Sequence, residues 1–189
     1  MNTIFIENIK NKLHFTLNDV NIWFEKPAEV LYYKTQNNGW SVAQILEHIA
    51  LTSHFLLIII EKGVKKSLKK AKVIDWKKDF EDYIFDESKL DTIGISKSFE
   101  WVRPEHMEPK RNGEQDLQAV KEKIEQQILQ CVTYLEQLSN GEGVLLRTTM
   151  SVNNLGKIDV YEYIYFLIQH TARHIMQMQR NEQAFLNER

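Results

Sequence analysis

The sequence predicts an all-α protein: a four-helix bundle with a long, partly ordered crossover between the second and third long helices. Three observations predict it. Glycine and proline, which interrupt helices, number only seven and three among 189 residues. Apolar residues recur at spacings of three and four through four separate stretches, the period of a helix with one buried face. Two of those stretches open on a capping box, in which side chains satisfy the free N–H groups of a helix start.

In the first stretch, from about Thr3 to Lys26, residues Ile6, Ile9, Leu13, Leu17, Val20 and Phe24 share a face, and Pro27 ends the helix. The connection AEVLYYKTQNNG follows, closing on a turn-forming Asn-Asn-Gly. The second helix starts at Ser41, a good N-cap, with Gln44 completing the box. It is expected to reach about Lys66 with Ile45, Ile49, Thr52, Leu56 and Ile59 on one face. Leu51 and Ile58 form a further apolar strip, suited to packing under the crossover or to a dimer contact. Lysines 62, 65, 66, 69, 70 and 72 crowd its end, where cations complement the helix dipole and solvent.

The third helix covers roughly Glu114 to Ser139. Leu117, Val120, Ile124, Ile128, Cys131, Leu135 and Leu138 make a near-heptad seam, and Asn140-Gly141 terminates it. Cys131 lies in that seam and reads as a buried structural residue rather than a nucleophile. The fourth helix begins at Asp159, boxed with Glu162, and continues to about Phe185. Helices of about 24 residues would each be roughly 36 Å long, the dimension of a four-helix bundle.

Residues 72–113 break the pattern. A stretch of about forty residues without structure would be abnormal, so short elements are expected there. DWKKDFEDYIF reads as a short helix and SKSFEWVRP as an extended segment ending at Pro104. The aromatics Trp76, Phe80, Tyr83, Phe85, Phe99 and Trp101 are too many for a solvated linker, so the segment should pack across the bundle.

Length fits a single domain over residues 1–189, large enough for a core without disulfides. Apolar residues at 43%, charged residues at 26% and a net charge of −2 suit a soluble globular protein and offer no field for nucleic acid or a membrane surface. One cysteine excludes an intramolecular disulfide framework and fits a reducing compartment. The N-terminus shows no signal-peptide pattern, and the apolar run FLLIII at 55–60 is too short to span a bilayer. A cytoplasmic protein is the expectation.

Six histidines occur, and helical geometry sorts them. His170 and His174 lie about 40° apart on one helix face, with β-carbons roughly 6 Å apart. Both can then reach one ion at metal–nitrogen distances of about 2.0–2.1 Å. They sit at the edge of the arc formed by Ile164, Leu167, Ile168, Thr171, Ile175 and Met178, away from Arg173 and Arg180. On the second helix His48 falls at the matching edge of the apolar stripe, whereas His54 points about 120° further round. His48 is therefore the third-ligand candidate; His14 and His106 have no comparable placement. The competing reading is a set of hydrogen-bonded core histidines.

WSVAQILEHI, followed far downstream by HTARHIMQMQR, resembles the DinB-like superfamily of damage-inducible, metal-binding four-helix-bundle proteins. LGKIDVYEYIYFLIQH is also similar to that family's approach to its last helix. In the family an early histidine joins an HxxxH pair, often extended to HxxxHxxQ; the matching positions here are His48, His170, His174 and Gln177. The resemblance implies a divalent metal, zinc or nickel, on three histidines, and commonly a homodimer. It also implies one of several activities: a transferase or isomerase using a low-molecular-weight thiol such as bacillithiol or mycothiol, a metal-dependent hydrolase, or no known activity.

Three neutral imidazoles leave an open coordination position, the mark of a catalytic site. Zinc there lowers the pKa of a bound water or holds a thiol as thiolate, supplying a nucleophile that the chain itself lacks. A hydrolase would want a carboxylate base beside the metal. Thr171, Ala172 and Arg173 between the histidines supply none, Glu47 points about 100° from His48, and Glu162 lies about 80° off the face of His170. Thiol transfer to a small-molecule substrate is thereby favoured over hydrolysis, and a non-catalytic metal-binding bundle in stress response is the other alternative. Gln177, Gln44 and Thr52, each one turn from a histidine, are candidates to hold the imidazole tautomers. Tyr163, about 10 Å down the axis from His170, is a candidate pocket residue. No catalytic side chain is identified at this level.

Overall fold

The computed structural model describes residues 3–35, 39–95, 104–110 and 116–188. Asn37 and Asn38 of the turn after the first helix, and residues 96–103 with Phe99 and Trp101, lie outside them. Helix α1 spans Ile4–Phe24 and buries Ile6, Ile9, Leu13, Thr16, Val20 and Trp23, a stripe of three-and-four spacing that packs into the core. Pro27 does not merely stop α1; it stands at the N-cap of a short helix α2, Ala28–Leu31, where its fixed φ suits a helix start.

Helix α3, Val42–Ala71, is longer than its sequence period indicates, about 45 Å. Ser41 accepts from the Gln44 N–H while the Gln44 side chain accepts from the Ser41 N–H, so the predicted capping box is formed. Ile60, not Ile59, completes the buried face: Ile60 is 1% exposed and Ile59 38%. Ile58 lies in a groove lined also by His54, Leu57, Lys123 and Gln127. One window of α3 is long and apolar enough to cross a membrane, and 67% of that window is buried inside the protein.

The crossover carries helix α4, Lys77–Glu81, as expected, and a second helix α5, Glu87–Gly94, that the sequence pattern missed. Its first turn is capped by Asp86, and its buried residues are Leu90, Ile93 and Gly94. Eight residues are too few to show a clear period. Phe85 stacks on Phe5 at 5.2 Å, and Tyr83 contacts the same ring at 5.7 Å, so the crossover aromatics do pack on the bundle.

Helix α6, Leu117–Gln137, buries Ile124, Gln127, Ile128, Cys131, Tyr134 and Leu135, while Leu117 and Val120 are only partly covered. Gly141 follows in the left-handed region with φ 107° and donates to the Leu138 carbonyl, closing the helix end. A β-hairpin, absent from the sequence reading, comes next. β1, Arg147–Met150, pairs antiparallel with β2, Gly156–Asp159, in a register that sets Thr148 opposite Ile158. Asn153, Asn154 and Gly156 take the positive φ values of its connection.

β2 runs straight into helix α7, Val160–Asn187, whose capping box of Asp159 and Glu162 is formed as predicted. Helices α1 and α3 each pack against both α6 and α7, giving the cyclic order α1–α6–α3–α7. The α5 helix adds a further layer on α7. Covered on so many sides, α7 is buried at every position from Val160 to Ile168.

Candidate metal centre

His48 sits in the second turn of α3, and the cap at Ser41 fixes where that turn begins. His170 and His174 are one turn apart on α7, and α3 and α7 are direct neighbours. The three rings meet between these helices. All three residues are buried, and one ring nitrogen from each lies within 4.8 Å of the others. Ring centroids are 4.5 Å apart for His170–His174, 4.6 Å for His48–His174 and 5.3 Å for His48–His170.

The outer nitrogens show which atoms face inward. His48 Nδ1–H donates to the Met107 carbonyl at 2.7 Å, and His174 Nδ1–H donates to Gln177 Oε1 at 3.0 Å. Each bond fixes the tautomer with a lone pair on Nε2. The Nε2 atoms of His170 and His174 are 3.1 Å apart. Two tetrahedral ligands at 2.0–2.1 Å from one ion would stand about 3.3 Å apart, so this pair fits a metal, and a His48 nitrogen lies within 4.8 Å of the others. Burial, then the neighbouring His174, His48 and Arg173, holds His170 well below its ordinary pKa of 6.5, which keeps it neutral and able to ligate.

Of the predicted supporting residues, Gln177 meets its histidine directly. Thr52 Oγ1 stands 3.5 Å from His48 Nε2, on the inward side of the ring rather than at Nδ1. Gln44 does not touch a ring; its amide donates to the Lys110 carbonyl at 3.0 Å. Tyr163 is turned to the hairpin, where its hydroxyl donates to the Thr149 carbonyl at 3.2 Å. His54, His14 and His106 are exposed and outside the cluster. Cys131 is fully buried and burial pushes its thiol up to about 12, so it supplies no thiolate.

Two contacts had no usable signal in the sequence. Met107 acts through its backbone carbonyl, which no residue type advertises. Trp40, whose ring lies 4.7 Å from that of His48, stands directly before the helix cap and reads only as an aromatic in a loop. A cavity of about 600 Å³ lined by Leu68, Lys72, Trp76 and Glu142 lies elsewhere. Leu68 is twenty residues beyond His48 on α3, about 30 Å along its axis.

A helical bundle with three buried histidines converging from two helices defines a class of protein able to hold a divalent metal. The family comparison agrees: the DinB superfamily model matches residues 13–178, and the chain belongs to that superfamily. No curated protein and no solved structure matches the chain.

Proposed function

We propose that the protein binds one divalent metal, zinc or nickel, through Nε2 of His48, His170 and His174, and uses it to transfer a small thiol of the bacillithiol or mycothiol type to an electrophilic small molecule. The convergence of three buried imidazoles, two with their outer nitrogens tied to carbonyl acceptors, carries the reading. When bound, the ion supplies Lewis acidity that lets a thiol act as a nucleophile near neutral pH.

Two observations support thiol transfer over hydrolysis. Glu162 is committed to capping α7, and Glu47 accepts the Lys110 N–H at 3.0 Å. Neither is a spare general base. Burial of all three histidines also suits a second reading, a bundle that holds its metal without turnover.

Metal content measured on untagged protein tests the first step. Wild type should carry about one ion per chain, and His48→Ala and His174→Ala should carry essentially none. Wild type that stays metal-free after reconstitution overturns the reading. Metal-stimulated consumption of thiol and electrophile, abolished in His174→Ala, then separates transferase from passive holder.

We also propose a homodimer in the cytoplasm. Phe15 and Ile22 fall on one stripe of α1 and are 67% and 59% exposed, which supports a surface suited to a second copy.

A further inference from the structure

On the first two turns of α3, Gln44 is flanked by Glu47 three residues on and by His48 four residues on, the helical spacings that make side chains neighbours. All three hold the same short piece of chain. Gln44 Nε2–H donates to the Lys110 carbonyl at 3.0 Å, and the Lys110 N–H donates to Glu47 Oε2 at 3.0 Å. Three residues earlier, the Met107 carbonyl accepts from His48 Nδ1–H at 2.7 Å. Between these anchors Pro109 is buried. Glu105–Met107 forms a 3₁₀ turn, and the His106 ring packs on Phe55 at 4.3 Å, two turns further along α3.

The acceptor that orients His48 is a backbone carbonyl on a distant segment, so its position is only as good as the docking of that segment. Gln44 is itself immobilised, because its Oε1 accepts from the Ser41 N–H in the capping box. The cap and the imidazole are therefore tied to the same short strap, the cap through Lys110 and the imidazole through Met107.

We propose that Gln44 and Glu47 are positioning residues for the metal centre. They grip both sides of the Lys110 peptide, and that grip places the Met107 carbonyl where it fixes the tautomer and orientation of His48. The inference rests on the metal-site reading above. Its consequence is that two residues which touch no ligand atom set the affinity of the site. Removing an outer partner of a metal-bound histidine typically weakens binding 10–100-fold.

Three variants separate the grip from mere structure. Glu47→Ala removes the acceptor for the Lys110 N–H. Glu47→Gln keeps an acceptor oxygen there. Gln44→Glu keeps the oxygen that caps Ser41 but removes the donor to the Lys110 carbonyl. Zn²⁺ affinity is measured by competition with a chromophoric chelator, the visible spectrum is recorded with Co²⁺, and the His48 tautomer is read from imidazole ¹⁵N shifts in metal-free protein. Glu47→Ala and Gln44→Glu should bind Zn²⁺ about 10-fold more weakly, shift the Co²⁺ bands, and populate both His48 tautomers. Glu47→Gln should stay within about twofold of wild type. Wild-type affinity, spectrum and tautomer in both Glu47→Ala and Gln44→Glu would overturn the proposal. Failure of the metal reading looks different: no variant, wild type included, would bind Zn²⁺, while the tautomer shifts would still report on the grip.

Discussion

His170 stands on α7 and Asp159 caps the start of that helix, and the protein moves their pKa values in opposite directions. His170 is depressed below 6.5 chiefly by burial; Asp159 is pushed up to about 7 by burial and by the charge of Glu162. The signs of their effects on stability differ accordingly. Below pH 6.5 the unfolded chain protonates His170 while the fold does not, so this contribution is lost as pH falls. Asp159 keeps a proton in the fold that the unfolded carboxylate, with its ordinary value of 3.8, has already released, so its contribution weakens as pH rises from about 4 to 7. In metal-free wild type the two offset each other between pH 5 and 7. Asp159→Asn retains an oxygen for the Glu162 N–H and removes the second effect. Its stability, followed by chemical denaturation, should fall more steeply than wild type from pH 7 to 5, by up to about 1.4 kcal/mol per pH unit. Parallel curves would show that Asp159 is an ordinary carboxylate.

At the scale of elements, the junction after α6 depends on one residue. Gly141 adopts φ 107°, and a β-carbon there would stand 2.5 Å from the Phe80 ring. Both the backbone and the packing of α4 against this turn therefore require glycine. Gly141→Ala should lower stability by about 1–3 kcal/mol in urea denaturation, with metal stoichiometry unchanged because the histidines lie on other elements. The same scale explains what the sequence pattern could show. Ser41 with Gln44, and Asp159 with Glu162, are local signals, and both boxes formed where they were read. α5 and the hairpin were not visible, since an eight-residue helix and two four-residue strands are shorter than the windows over which periodicity becomes distinct.

Across the whole molecule, a partly buried polar network centred on Tyr165 fastens the crossover to the bundle. The Tyr165 hydroxyl, on α7, receives Lys12 Nζ from α1 at 2.7 Å and donates to Asp91 of α5 at 2.7 Å. Lys12 also pairs with Glu87, and Gln169 donates to the same Asp91 oxygen. Tyr165→Phe removes the shared member and leaves its partners incompletely satisfied. The expected cost is about 0.5–1.5 kcal/mol by denaturant titration, with α5 amides exchanging faster than those of α3. Assembly belongs to this scale too. Phe15→Glu should convert the proposed dimer to a monomer in light scattering without loss of metal; an unchanged mass would remove the α1 stripe as the interface.

The sequence by itself determined the four long helices, both caps and the face on which each histidine lies, because these depend on residues within one or two turns of each other. Helical spacing placed His170 beside His174, and put His48 on the matching edge of α3. It did not determine that α3 and α7 would be neighbours with the three rings in contact; residues more than a hundred positions apart meet only through packing of the whole core. Gln177 was legible because it follows His174 on the same helix. Met107 was not, since a carbonyl has no sequence signature and reaches His48 only when the crossover folds back onto α3. Gln44 was noticed as a neighbour of His48, yet its hold on Lys110 exists only in the tertiary structure. Local hydrogen bonding and side-chain period write themselves into the sequence; contacts between backbone groups of distant segments are decided by how the elements pack.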